Sequence, residues 1–260
     1  MLGGSKFAKL YTVNKIVAEQ NGEKKFYLTK SSDCSSALLP DETGLKDWSF
    51  QELFQVEKIA ELQTVSLPTV LNSLSLTYID WFKTDSQGTD LRIFRSLNPE
   101  IISNMLLAEF EPGIMDAYID EDKMHQVMAF MEDYPFWLSD LTVKGPQRIR
   151  KENLKKNFSP LEQKFLSCFL KESAFWGEMT YINTFGHEKI RSKRNVLLGW
   201  VFCTLKRQHG FAMELAQMGK SLFREPLFQS LESESIRMVK QNYWKLPFYL
   251  LNMVFKKIAG

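Results

Sequence analysis

"YIDWFKTDSQGTDLRIFRSL", residues 78–97, decides how the rest of the chain is read. Its first five residues are mostly large and apolar or aromatic, which suits a strand. Lys83, Thr84, Asp85, Ser86 and Gln87 then crowd polar side chains into one turn, and Gly88 lets the backbone bend without a Cβ clash. Leu91, Phe94 and Leu97 follow at helical spacing. In a parallel α/β sheet, ligands bind beyond the carboxyl ends of the strands, where turns and helix amino termini converge on a crevice. The turn is therefore the candidate site, with Lys83, Asp85 and Gln87 at its edge. A plainer explanation is that Asp85 or Ser86 caps a helix beginning near Thr89, with Lys83 a solvated neighbour. Pattern alone does not separate the two.

Working outward, "KLYTVNKIVA" (9–18), "KKFYLT" (24–29) and "VEKIAELQTV" (56–65) have the β-branched and aromatic content of strands. Asn21-Gly22 predicts a tight reversal between the first two. The polar stretch 30–50 predicts a long loop, a feature more often functional than accidental in a compact domain. Downstream, "NMLLAEFEP" (104–112) predicts a strand whose end carries Glu109 and Glu111, both candidates to face the site beside Asp85. Asp120 is positioned to cap a helix over 121–134, and "FWLSDLTV" (136–143) predicts a last strand. This alternation predicts a parallel α/β domain over 1–143. A basic linker over 144–158 and a helical region over 159–260 follow. Ser159, Pro160 and Glu162 open that region as N-cap, first helical residue and capping-box partner. A helix around 188–208 is expected to end at Gly210, and another to start near Pro226.

The chain has 260 residues, 44% of them hydrophobic, enough to bury a substantial core. Lys and Arg number 33 against 31 Asp and Glu, so nothing demands a nucleic-acid partner. Cys34, Cys168 and Cys203 are far apart and fit a reduced, cytoplasmic compartment. His125, His187 and His209 lack metal-ligand spacing, so no metal is expected. The amino terminus has no signal-peptide pattern. No apolar run approaches the roughly 20 residues of a membrane span. The carboxy-terminal stretch 243–260, with Lys256 and Lys257, either packs into the core or lies on a membrane surface. "SAFWGEMTYINTFGHE" (173–188) either lines an acceptor pocket or packs helices together.

"IDWFKTDSQGTDLRIFRSL" resembles the post-strand signature of the FkbM-type methyltransferases, in which an apolar strand runs into Lys-x-Asp-x-Glu/Gln-Gly and then a helix. "NKIVAEQNGEKKFYLT", "CSSALLPD", "VSLPTVLNSL" and "LLAEFEP" resemble further segments of that family in its order, and together the matches cover about residues 10–142. The resemblance implies a class I, Rossmann-like fold that uses S-adenosylmethionine to methylate a hydroxyl of a glycan, lipid or small metabolite. It implies catalytic roles for Asp85 and Lys83. Ser35, Ser36, Gln87 and Gly88 would then lie near the cofactor, with Glu109 and Glu111 toward the acceptor.

The chain departs from the family in lacking an Asp/Glu-x-Gly-x-x-x-Gly-like loop and the acidic residue that follows it; Gly3-Gly4 has no preceding strand. The expectation is therefore a partial Rossmann-like sheet followed by an α-helical carboxy-terminal region, in an N-terminally incomplete chain. Its exposed sheet edges would need a partner, supplied by an oligomer or by the missing segment. A non-catalytic binding or scaffold protein derived from the same fold is the alternative. The helical region is expected to pack over the ligand edge of the sheet and set acceptor specificity.

Overall fold

The computed structural model describes residues 9–241 together with Tyr243 and Leu246. Gly3-Gly4 and all but those two residues of the stretch 243–260 lie outside the described residues.

The chain is mixed α/β and builds two mixed sheets. In the first, β1 (Ile16–Ala18) lies parallel to β3 (Val56–Ser66), and β2 (Gly22–Thr29) lies antiparallel to β3 from its other side. The Asn21-Gly22 reversal therefore does not make a hairpin, because β3 sits between the strands it joins. Asn21 instead fastens the start of the helix that follows β3: its carboxamide accepts from Ser66 N at 2.9 Å and donates to Thr69 Oγ1 at 2.9 Å. The loop after β2 is ordered around the short helix α1 (Glu42–Leu45), and α2 (Leu67–Ser73) follows β3.

The second sheet carries the candidate site. It is built from β4 (Trp81–Lys83), β5 (Leu107–Phe110), β6 (Phe136–Lys144) and β7 (Trp176–Asn183), in the order β4-β5-β7-β6. Strands β4 and β5 are parallel, while β7 runs antiparallel to both of its neighbours. It follows that β4, β5 and β6 point one way and β7 alone is reversed. Helices α3 (Asp90–Arg95) and α4 (Pro99–Asn104) connect β4 to β5, and α5 (Met124–Met131) connects β5 to β6. One face packs Phe82, Phe94, Phe110, Val127 and Met131 into an aromatic-rich core, with Phe94 and Phe110 ring centroids 5.0 Å apart. Burying a side chain of that size contributes about 1.5–3 kcal/mol. The other face packs Leu107, Ile182 and Phe185 against α9 (Lys193–Leu205), α10 (His209–Phe223) and α11 (Pro226–Lys240). With helices on both faces, β5 is buried throughout, which is why "LAEF" reads as a run and not as an alternation.

Five expectations are corrected. Residues 1–143 do not hold a single parallel sheet, since β1–β3 form their own. The region after 159 is not wholly helical: β7 comes from it and inserts between β5 and β6. The basic stretch 144–158 is no free linker, because it contains α6 (Lys151–Asn157) and opens a segment, with α7 (Pro160–Lys164) and α8 (Leu166–Phe169), that returns into β7. Asp120 does not cap α5, which starts after Lys123; Asp120 itself sits at φ 59°. Nor does Gly210 end a helix. The chain breaks at Arg207, in the left-handed region at φ 59°, and Gly210 lies inside α10.

Candidate functional site

The turn between β4 and α3 is held by a residue that the pattern did not single out. Asp90 is buried, and its Oδ1 accepts from Ser86 N at 2.9 Å, from Thr84 Oγ1 at 3.2 Å and from Ser86 Oγ. Its Oδ2 accepts from Glu111 N at 2.8 Å. One carboxylate thus ties the turn to the end of β5, and its two oxygens are satisfied by four donors. Ser86 Oγ also accepts from Thr89 N at 3.2 Å and from Thr89 Oγ1 at 2.9 Å. Ser86 thus braces Thr89, the residue before α3, but no side chain caps the helix, so neither Ser86 nor Asp85 is the cap that the plainer explanation expected.

Gln87 and Gly88 both have positive φ, 54° and 99°. A Cβ at Gly88 would meet Glu121 Cγ at 3.0 Å and Leu38 Cδ1 at 3.2 Å, so the position needs glycine for both conformation and space. Gln87 knits three segments together. Its Nε2 donates to Asp85 Oδ1 at 2.7 Å, its Oε1 accepts from the Tyr118 hydroxyl at 3.1 Å, and its backbone carbonyl accepts from Ser36 Oγ at 2.7 Å. The Tyr118 hydroxyl also lies 3.0 Å from the Cys34 carbonyl, and its single hydrogen is shared between the two acceptors. Burial of that phenol raises its pKa, so it is a neutral donor here.

Two cavities flank this turn. A smaller one, about 450 Å³, is lined by Lys83, Asp85, Gln87 and Ser35 together with apolar residues of β1 and β4. A larger one, about 560 Å³, is lined by Asp85, Gln87, Glu111 and Glu121, with Tyr118 and Trp176 among its aromatic walls. Asp85 and Gln87 belong to both linings. In the larger cavity, burial first, and the Asp85 charge second, raise the pKa of Glu111. Burial likewise raises Glu121, although Lys123 Nζ at 2.8 Å opposes that shift.

The proposed site residues are thus only partly gathered. Lys83, Asp85, Gln87 and Ser35 meet at the smaller cavity, and Asp85, Gln87, Gly88 and Glu111 at the larger. Ser36 is fully buried and acts as a clamp on the Gln87 carbonyl. Glu109 lines neither cavity. It accepts from Trp81 Nε1 at 2.7 Å and from Thr180 Oγ1 at 3.3 Å, and it pairs with Lys206 just after α9. Of the aromatic segment 173–188, Phe175 and Trp176 line the larger cavity, while Tyr181 is buried in the core. Sequence reasoning missed Asp90, Tyr118 and Glu121. Among the described residues, no cluster of His, Cys, Asp and Glu is arranged to hold a metal ion. No helix among them is long and apolar enough to cross a membrane.

Comparison with known proteins adds no relative: no family model, curated protein or solved structure matches this chain.

Proposed function

We propose that the chain is an S-adenosylmethionine-dependent methyltransferase that acts on a hydroxyl of a glycan, lipid or small metabolite, with its chemistry at the turn after β4. One observation carries this: Asp85 and Gln87 line both cavities. Group transfer requires donor and acceptor to be held against each other, and two cavities sharing a polar junction meet that requirement. The resemblance of "KTDSQG" to the FkbM-type signature, and the location of the turn beyond the carboxyl end of a parallel strand, support the same reading. A cytoplasmic location belongs to the proposal; Cys34, Cys168 and Cys203 are free thiols, as a reducing compartment keeps them.

The residues fit the sulfonium end of the cofactor, because Asp85 offers an anion at the junction for a cationic sulfur. They do not extend that fit to the ribose: the smaller cavity is lined by no glycine and by no carboxylate besides Asp85. When bound, the cofactor supplies a methyl carbon already activated by positively charged sulfur. Asp85, fixed by Gln87, orients the acceptor hydroxyl. Glu111 would take the hydroxyl proton as the oxygen–methyl bond forms and the sulfur–methyl bond breaks, leaving S-adenosylhomocysteine, and its raised pKa makes it a stronger base than an ordinary carboxylate. The aromatic walls exclude water from the acceptor. Ser35 and Gln87 face the cofactor side, while Ser36 and Gly88 contribute by fixing the backbone.

A second reading, a non-catalytic binding protein, is favoured by the absence of a ribose carboxylate from the smaller cavity. One assay separates the two. The chain is incubated with S-adenosylmethionine at saturating concentration and with glycan, lipid and small hydroxyl acceptors, and S-adenosylhomocysteine is measured. Acceptor-dependent product that falls in Glu111→Gln supports the enzyme. No product with any acceptor class leaves the binding protein.

A further inference from the structure

We propose that residues 145–175, the segment between β6 and β7, dock the protein onto an anionic membrane surface. The segment holds seven Lys and Arg against three Glu, a net charge of +4 in a chain whose total is +2, so the rest of the chain is net −2. That asymmetry gathers an excess of cationic side chains into one segment.

The charges divide by position. Near the base of the segment, Arg148 and Arg150 both pair with Asp47, at 2.6 and 2.7 Å, and Lys151 pairs with Glu52, fastening the segment to the loop before β3. Farther out, Lys155, Lys156, Lys164 and Lys171 are exposed and form no ion pair among the described residues. The same outer part displays apolar side chains to solvent: Leu161 is 66%, Phe165 52% and Phe169 75% exposed. They lie four residues apart in sequence across α7 and α8, which meet at Phe165. Leu166, between them, is buried and anchors the element from beneath.

Protruding aromatic and aliphatic side chains beside unpaired lysines are the two signals that peripheral attachment to lipid requires together: apolar insertion and attraction to anionic headgroups. A compact, strongly hydrated ammonium on a flexible stem suits a diffuse headgroup layer better than a shaped protein partner, which would favour the planar fork of Arg. Here both arginines are paired, whereas four of the segment's five lysines form no ion pair among the described residues. The segment's two ends, at Gly145-Pro146 and Phe175, line the larger cavity, so the docking element is rooted at the candidate site. The inference stands on exposure and charge and does not require methyl transfer.

Co-sedimentation of the full chain with phosphatidylcholine vesicles, with and without phosphatidylserine, tests it. The expected result is binding to the phosphatidylserine vesicles that weakens with salt, with little binding to phosphatidylcholine alone. Each Lys lost is worth about fivefold in partition, so the triple variant Lys155→Gln, Lys156→Gln, Lys164→Gln loses about a hundredfold. The double variant Phe165→Ser, Phe169→Ser loses a similar factor while its circular dichroism is unchanged, since both rings are exposed. No binding to anionic vesicles overturns the proposal. So does undiminished binding by the double variant. A double variant that loses self-association, yet binds vesicles like the unaltered chain, assigns the face to a second copy and overturns it too.

Discussion

Asp90 and Glu111 are joined by a 2.8 Å hydrogen bond in which the Glu111 amide donates to the Asp90 carboxylate, itself 1% exposed. Because the same carboxylate also receives Ser86 and Thr84, one side chain fixes both the turn that carries Asp85 and the backbone that presents Glu111. The separation of the two candidate functional carboxylates is thus set by a third.

Replacing Asp90 with Ala leaves two backbone amides and two hydroxyls without their acceptor. Buried donors left unpaired are expensive, so Asp90→Ala should cost about 3 kcal/mol in denaturant unfolding. Asp85→Ala, at an exposed position, should stay within about 0.5 kcal/mol. Equal losses in the two variants would remove Asp90 from its supporting role.

Gly88→Ala should cost about 2 kcal/mol, since it combines an unfavourable φ with a Cβ against Glu121 and Leu38. Thermal unfolding indistinguishable from the unaltered chain would mean that the turn relaxes without penalty.

Glu111 should make stability depend on pH in a stated direction. Burial, and then Asp85, raise its pKa in the folded chain, so the folded state holds the proton more tightly than the unfolded state. The resulting stability is fully present below the ordinary carboxylate pKa and is lost as pH rises through the folded value. Glu111→Gln, which carries no charge, should therefore melt higher than the unaltered chain at about pH 7, with that advantage shrinking toward about pH 4. An advantage that grows on acidification would contradict the burial argument.

Local signals in the sequence carried the core of the site. The strand, the crowded turn and the helix of 78–97 are observed as β4, the turn and α3, with Leu91, Phe94 and Leu97 buried. What the sequence hid were long-range partners. Glu109 is taken by Lys206, a partner 97 residues away, and β5 ends at Phe110, so strand alternation does not extend to Glu111. Asp90 reads as an ordinary acidic residue in the first turn of a helix, where it would favour the dipole; nothing in its spacing announces that it is buried. The β-prone residues of β7 were visible in "WGEMTYIN", but its place between β5 and β6 is a matter of non-local pairing. Gln87 reaches Ser36 and Tyr118 across 51 and 31 residues, and the family-like segments gave the order of those pieces without their contacts.

Affinity for S-adenosylmethionine should be weaker than micromolar, because the lining of the smaller cavity offers Asp85 but neither a glycine nor a second carboxylate for the ribose. Calorimetry giving a Kd in the micromolar range, about −8 kcal/mol, would show that other groups grip the nucleoside.

The central claim is that the turn after β4 performs methyl transfer through Asp85. The most direct measurement is acceptor-dependent formation of S-adenosylhomocysteine by the unaltered chain and by Asp85→Ala, at saturating cofactor, with unfolding recorded for both. The account predicts turnover that drops about a hundredfold or more in Asp85→Ala while stability is retained, consistent with loss of a group that orients the reacting atoms. Turnover unchanged in a folded Asp85→Ala protein would contradict it and reduce Asp85 to a partner for Gln87.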